Sequence, residues 1–169
     1  WWARPSAFPL ALLVISLLII VAGGTIRIND AGESCPDWPQ CFGTWTFDVS
    51  EQEQQQFWED NPEHEDSRGT DHRYTTFQIF TEWLHRLLVA VVALPVLLNF
   101  LMANKLKEEY GDRTVKVSLL AGVLLITQAL VGAVTVVFDN VDWSVALHLS
   151  LACIWASTLM YQYLWMRIC

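Results

Sequence analysis

Four long stretches without Asp, Glu, Lys or Arg set the main constraint on the fold of this chain. They cover residues 8–26, 87–104, 117–138 and 143–166 and consist mostly of aliphatic side chains. Each is ~18 residues or longer, which is what a helix needs to cross a hydrocarbon core of about 30 Å. The alternative is four buried helices of a water-soluble protein, but too little polar sequence remains to cover them. In lipid the backbone must satisfy its own hydrogen bonds, so the stretches are predicted to be membrane-spanning helices.

The predicted fold class is therefore all-α, an integral membrane four-helix bundle with a long outer loop between helices 1 and 2. Hydrophobic residues make up 53% of 169 residues, a length that fits one domain. We predict a single transmembrane domain over residues 1–169. Its helices are expected at about 8–27, 75–104, 115–138 and 143–167, with the outer loop at about 28–74.

Charge restricts the partners and the orientation. Ten Lys and Arg against 18 Asp and Glu give a net charge of −8, which excludes nucleic acid and leaves membrane lipid. The side of the termini and the loop between helices 2 and 3 carries Arg4, Lys105, Lys107, Arg113, Lys116 and Arg167; the other side carries Arg27, Arg68, Arg73 and Arg86. By the positive-inside rule, both termini are predicted in the cytoplasm or matrix and the long loop outside. The membrane is a bacterial or archaeal cell membrane or the mitochondrial inner membrane.

The outer loop has two unlike parts. Residues 51–71 are polar and acidic, which indicates a solvated excursion that is helical or partly mobile. Its His64 and His72 could bind a metal with nearby carboxylates, but isolated histidines in a polar loop are more often solvated. Upstream, Cys35 and Cys41 lie six residues apart in a turn rich in Pro. They form either a disulfide, favoured on the oxidising side of a membrane, or two free thiols.

Two histidines fall in or beside the predicted spans, where ionisable groups are costly and therefore indicate function. His148 follows the short turn at residues 139–142 and sits roughly 8 Å below the outer end of its helix. His85 lies near the outer end of helix 2, and both helices run inward from the outer side. Each histidine could simply bond a neighbouring helix. Two imidazoles at matching depth on parallel helices instead favour the axial pair of a b-type heme.

Four further polar residues surround this predicted site. Glu82 shares a helix face with His85 and could transfer protons or orient the imidazole, or it could pair with Arg86 at the helix end. Arg27 and Arg86 are candidate partners for heme propionates, with snorkelling to the interface as the alternative. Gln128 lies in the middle of helix 3 and needs a partner, either another helix or a polar part of a cofactor.

A weak internal repeat relates the two halves of the chain. Each half is a helix, an outer connection and a helix with a histidine near its outer end. Gly24-Thr25 ends the first helix, and residues 132–135 end the third. Paired hairpins of this kind would place one ligand on each side of a shared pocket.

Three segments and a histidine in the helix that follows them resemble the amino-terminal four-helix half of the heme A synthase family. The segments are GGTIRINDAGESCPDWPQCFG, EWLHR and QALVGAVTV. The resemblance implies a membrane oxidoreductase that oxidises the C8 methyl of heme O to a formyl group, giving heme A for terminal oxidases. It implies heme ligation by His85 and His148, a part in activity for Glu82, and a disulfide between Cys35 and Cys41. The implied cofactor is heme B, heme O or heme A.

The chain departs from the family pattern by having one half and a longer acidic insert. The resemblance therefore implies a homodimer or pairing with a second four-helix subunit, with heme O as substrate and contacts to a heme O synthase or a terminal oxidase. Two other functions stay open: a four-helix b-type cytochrome that carries electrons, and a non-catalytic heme-holding or structural subunit.

Overall fold

A computed structural model describes residues 4–65 and 67–169, and in these ranges the regular elements are helices. Their bounds are α1 Ala7–Ile28, α2 Glu51–Asp60, a 3₁₀ turn Pro62–His64, α3 Thr76–Lys105, α4 Lys107–Val137 and α5 Asp142–Ile168. Helices α1, α3, α4 and α5 are long and apolar enough to cross a membrane. The predicted all-α membrane four-helix bundle is confirmed.

The four long helices form a closed ring of neighbours. Helix α1 packs on α3 and α5, and α4 packs on the same two helices. Helices α3 and α5 are therefore diagonal to each other, as are α1 and α4. This arrangement matters for function because the two helices that carry His85 and His148 face each other across the bundle interior.

The bundle has a narrow apolar core and a broad apolar exterior. Leu12, Val92, Leu125 and Leu159, one from each long helix, are buried together near Trp155. Many other large aliphatic side chains of the same helices are exposed. A water-soluble bundle would cover such surface, so the exposed faces are those that hydrocarbon chains solvate.

Helix α4 begins earlier than the sequence predicted. The expected start was near residue 115, whereas the helical run begins at Lys107 and is interrupted only at Gly111, which has φ 78° and ψ 168°. The prediction counted uncharged residues and so could not detect a charged helical extension beyond the hydrocarbon layer. Gly111 tolerates this backbone conformation because it lacks a Cβ atom.

The outer loop is folded rather than uniformly solvated. Helix α2 confirms the helical alternative for part of the acidic stretch, but it buries Gln54 and Trp58. The Gln54 amide accepts from the Tyr74 N–H at 2.9 Å and donates to the Tyr74 carbonyl at 3.0 Å. These bonds join α2 to the residues just before α3, which the expectation of a solvated stretch missed. Asp66, within the predicted insert, lies outside the described residues.

The outer cluster, as we name this second core, consists of Cys35, Cys41, Phe42, Val49, Trp58, Tyr74 and Ile79. Phe42 contacts Trp58 edge to face with ring centroids 5.3 Å apart. Ile79 belongs to the first turns of α3, so the cluster rests on the outer end of that helix. The cluster thereby fixes the cysteine turn above the level of His85.

Candidate functional site

The two histidines lie on the diagonal pair of helices, close to the outer ends of both. His85 follows the start of α3 by nine residues, and His148 follows the start of α5 by six. Both histidines stay predicted heme ligands, and the diagonal placement is what a pair facing across the bundle requires.

Each imidazole lies against a glycine of the helix that precedes it in its own half of the chain. A Cβ atom built on Gly23 of α1 would lie 3.3 Å from Nε2 of His85. One built on Gly132 of α4 would lie 3.0 Å from Cε1 of His148. Both rings therefore occupy space that any other residue at these glycine positions would fill.

The helix ends above the glycines repeat the same geometry. Gly23 lies five residues before the end of α1, and Gly132 lies five residues before the end of α4. Asp30 and Asp139, the same distance beyond each glycine, both have positive φ, 51° and 49°. In both turns the next residue donates its N–H to the carbonyl five residues back, as in a Schellman cap. The internal repeat is thus visible in the backbone.

His148 and the neighbouring Gln128 carry buried polar atoms without partners in the described part of the chain. Nδ1 of His148 and Oε1 of Gln128 are both buried and unbonded. Nε2 of Gln128 donates to the His148 carbonyl at 3.0 Å, which ties α4 to α5 beside the ligand. Two imidazoles, an unsatisfied ring nitrogen and two glycine recesses fit a heme better than a sealed core, where such atoms are normally paired. A cofactor contact for Gln128 stays a prediction.

Glu82 is buried one helical turn before His85 and is held by the cysteine turn. Its Oε2 accepts from the Cys35 N–H at 2.9 Å and from Oγ of Ser34 at 3.1 Å. Its Oε1 accepts from Arg86 at 2.5 Å. The pairing with Arg86 that the sequence left open is present, and both carboxylate oxygens are used. The catalytic role of Glu82 stays a prediction.

Arg86 fastens the other side of the same turn. Its Nη1 donates to the carbonyls of Asp37 and Gln40, and its Nη2 donates to the Cys35 carbonyl at 2.7 Å. With the bond to Glu82, four contacts engage the guanidinium, which leaves little donor capacity for a propionate. The propionate role of Arg86 stays a prediction.

The cysteine turn itself is closed by a disulfide between Cys35 and Cys41, as the resemblance implied. Both cysteines are buried in the outer cluster. The Cys41 N–H and carbonyl also exchange bonds with Thr44, the one isolated β-bridge of the described residues. The disulfide, Glu82 and Arg86 together hold this turn rigidly over the outer end of α3.

Arg27 lies at the outer end of α1 and pairs with Asp142 at the start of α5, with an N–O distance of 2.8 Å. Both side chains are largely exposed, so the pair is screened by solvent and contributes little stability. Beside it, the Asn140 amide donates to the Gly32 carbonyl at 2.7 Å and so joins the two outer turns. The predicted propionate contact of Arg27 stays a prediction.

Sequence reasoning did not identify four residues of this region. Gly23 carries no side chain by which a sequence pattern could mark it as part of a site. Ser34 lacked any recognisable motif. Asn99 and Gln162 form a buried amide pair between the diagonal helices. Each amide lies 14 residues after the histidine of its helix, and comparing the two halves position by position could have found them.

Comparisons with known proteins agree with the family resemblance of the sequence motifs. A model of the COX15-CtaA family, described as cytochrome oxidase assembly protein, matches residues 7–168. A heme A synthase of Shewanella oneidensis is 29% identical over 137 residues, which cover 81% of this chain and 38% of that protein. A heme A synthase of Geobacillus thermodenitrificans is 25% identical over 142 residues, which cover 83% of this chain and 37% of that protein.

The chain thus spans less than two fifths of the length of these curated relatives. No solved structure matches the chain.

Proposed function

Because the chain belongs to the COX15-CtaA family of cytochrome oxidase assembly proteins, we propose that it is a membrane oxidoreductase of heme A biosynthesis. Its substrate is heme O, and its product is heme A, formed by oxidation of the C8 methyl to a formyl group. His85 and His148 hold a heme between the diagonal helices. The two relatives named above are heme A synthases, which supports the choice of substrate.

The observation that carries the proposal is the placement of two imidazoles on diagonal helices, each against a glycine. A pair of histidines that only stabilised the bundle would have hydrogen-bond partners for both rings, whereas Nδ1 of His148 is buried without one among the described residues. Neutral imidazoles are good ligands for iron. A heme held there would carry the electrons released by oxidation of a methyl group to an external electron acceptor.

The protein's own groups orient and enclose the site. Gln128 holds the α5 backbone at His148, and the outer turns close the bundle through Asn140 and Gly32. The cysteine turn lies over α3, anchored by Glu82 and Arg86. This cover would limit the access of water to a heme bound between the helices.

For Glu82 we propose two linked roles. It anchors the cysteine turn through Ser34 and Cys35, and it is the carboxylate nearest to His85 along the helix, able to accept or donate a proton near the substrate. Glu82→Gln keeps the size but removes the charge, and its amide nitrogen cannot accept a bond from Arg86 or from the cysteine turn as the replaced oxygen does. Loss of heme A formation in this variant, with heme retained, supports proton transfer. Unchanged heme A formation contradicts it.

The function is tested by expressing the chain in a host that makes heme O and lacks its own heme A synthase. Hemes are extracted from the purified protein and separated by chromatography. Heme A together with heme O supports the proposal. Heme O alone, with no heme A after aeration, contradicts catalysis by this chain.

A second candidate is a four-helix b-type cytochrome. It is favoured by one observation: both oxygens of Glu82 are engaged by the cysteine turn and Arg86. An electron carrier needs the histidines but no free carboxylate. Extraction of heme B alone from the purified protein would support this candidate over the synthase.

We also propose that the termini are cytoplasmic or in the matrix and that the outer cluster faces the opposite side, since four basic residues lie in or beside the connection of α3 and α4. Labelling of the exposed Cys169 from one side of sealed vesicles tests the orientation. Pairing with a second copy or a second four-helix subunit stays a prediction, which native mass spectrometry tests.

A further inference from the structure

We propose that Gly23 and Gly132 are positioning residues for the two candidate heme ligands. Each glycine leaves a recess in its helix in which the imidazole of the facing helix rests. The inference rests on the proposed heme site and extends it to two residues that contribute no side chain. A methyl group at either position displaces the imidazole and weakens its ligation of iron.

Backbone conformation does not explain why position 23 or position 132 is a glycine. Both lie inside helices, and neither has a positive φ, unlike Gly43, Gly69 and Gly111. Alanine is preferred over glycine at such positions, since glycine loses more backbone entropy. Backbone conformation therefore does not require glycine at either position, and the neighbouring atoms must be considered.

The space next to each glycine is taken by an imidazole. For Gly23, the atoms within 4 Å of a built Cβ are Nε2 and Cδ2 of His85, at 3.3 and 3.7 Å. For Gly132, the three nearest atoms all belong to His148, at 3.0, 3.6 and 3.7 Å. Contacts of 3.0 to 3.3 Å are tighter than a Cβ atom normally makes, so the imidazole must give by a few tenths of an ångström.

The effect of displacing an imidazole depends on which helices carry the glycines and which carry the histidines. Gly23 belongs to α1 and Gly132 to α4, the diagonal pair that does not carry the histidines. A methyl group on either helix therefore meets the ring from a neighbouring helix and disturbs the orientation set by the ring's own helix. The tighter contact at Gly132 predicts a larger effect there than at Gly23.

The first test compares Gly132→Ala and Gly23→Ala with Gly24→Ala in purified protein loaded with heme. Gly24 is the matched control, because a Cβ built there has nothing within 4 Å. Gly132→Ala is expected to weaken heme binding about 10- to 100-fold, as loss of a group that orients a ligand typically does, with loss of the low-spin electron paramagnetic resonance signal. Gly23→Ala should show a smaller loss, and Gly24→Ala none.

A second test needs no heme and guards against a variant that folds poorly. In heme-free protein, unfolding is measured for Gly132→Ala, His148→Ala and the double variant. If the ring and the methyl group compete for one space, the alanine at position 132 destabilises the protein with His148 present and not with His148→Ala. An equal effect in both backgrounds overturns the inference.

The outcomes separate this inference from the proposed function. A wild-type protein without low-spin heme overturns the proposed site and the inference with it. A wild-type protein with low-spin heme whose signal and affinity survive Gly132→Ala overturns the inference alone.

Discussion

Asn99 and Gln162 exchange two hydrogen bonds across the bundle, and they are 63 residues apart, as are His85 and His148. The Asn99 amide donates to Gln162 at 2.8 Å, and the Gln162 amide donates back at 3.1 Å. Both side chains are fully buried. The pair therefore connects the diagonal helices 14 residues along each helix from its histidine, and it fixes how far α3 and α5 stand apart there.

Removal of one amide is predicted to lower the free energy of unfolding by more than the loss of its own hydrogen bonds would. Asn99→Ala leaves the Gln162 amide buried without a partner, which should lower the free energy of unfolding by about 1–3 kcal/mol. The double variant with Gln162→Ala should cost less than the sum of the singles, with a coupling of about 0.6–1.7 kcal/mol. Unfolding in bicelles gives these values. Asn104→Ala is the exposed control, and additive effects of the two amides would contradict the account.

Arg86→Lys is predicted to loosen the cysteine turn although the charge is kept. A lysine ammonium cannot reproduce the planar fork that contacts Asp37, Gln40 and Cys35 at once. The Cys35–Cys41 disulfide is buried in the wild-type protein, and in the Arg86→Lys variant a soluble thiol should reduce it faster. Arg113→Lys, at the opposite end of the bundle, should leave the rate unchanged. Equal reduction rates for wild type and Arg86→Lys would show that the guanidinium does not hold the turn.

The outer cluster is predicted to unfold separately from the spans. Trp58 is 2% exposed, and its replacement by alanine should cost about 3–5 kcal/mol in that cluster. Limited proteolysis should then cut within residues 43–74, while circular dichroism retains the helices of the bundle. Trp45→Ala removes the same side chain from a site that is 69% exposed and should not open the loop. Resistance of Trp58→Ala to the protease would be evidence against this cluster as a folded unit.

The start of α2 is predicted to depend on pH. The Ser50 hydroxyl and N–H both donate to the Glu53 carboxylate and lower the pKa of Glu53 below its usual value. Since the folded pKa is lowered, the stabilisation is present above the unfolded pKa and is lost as pH falls through the folded pKa. Hydrogen exchange at the Ser50 amide should accelerate in that acidic range. Glu53→Gln keeps the capping box and removes its titration, so acceleration in this variant would point to another group.

Uncharged length sufficed to predict the spans, because membrane burial tolerates few charges in a helix. The same criterion missed the charged beginning of α4 at Lys107 and the amphipathic helix α2. For α2 a local signal existed: Ser50 and Glu53 form a capping box in the structure. Its burial of Trp58 depends on Tyr74 and Phe42, distant positions whose contacts no local pattern encodes.

In the site, the ionisable residues were predictable from the sequence, whereas the recesses at the glycines and the contacts of the cysteine turn were not. His85, His148 and Glu82 were recognisable because ionisable groups are rare in spans. Gly23 and Gly132 act by lacking a side chain, and this role can be recognised only when the position of the neighbouring imidazole is known. The contacts of Arg86 go to backbone carbonyls of the cysteine turn, and sequence identity does not specify such acceptors.

The most direct test of the account is the heme spectrum of the histidine variants. Purified wild-type protein should bind heme with the low-spin electron paramagnetic resonance signal of two imidazole ligands. His85→Ala and His148→Ala should each lose that signal, while His64→Ala, in the outer loop, should retain it. If both site variants kept the wild-type signal and heme content, the heme would not lie between His85 and His148, and the central claim would be wrong.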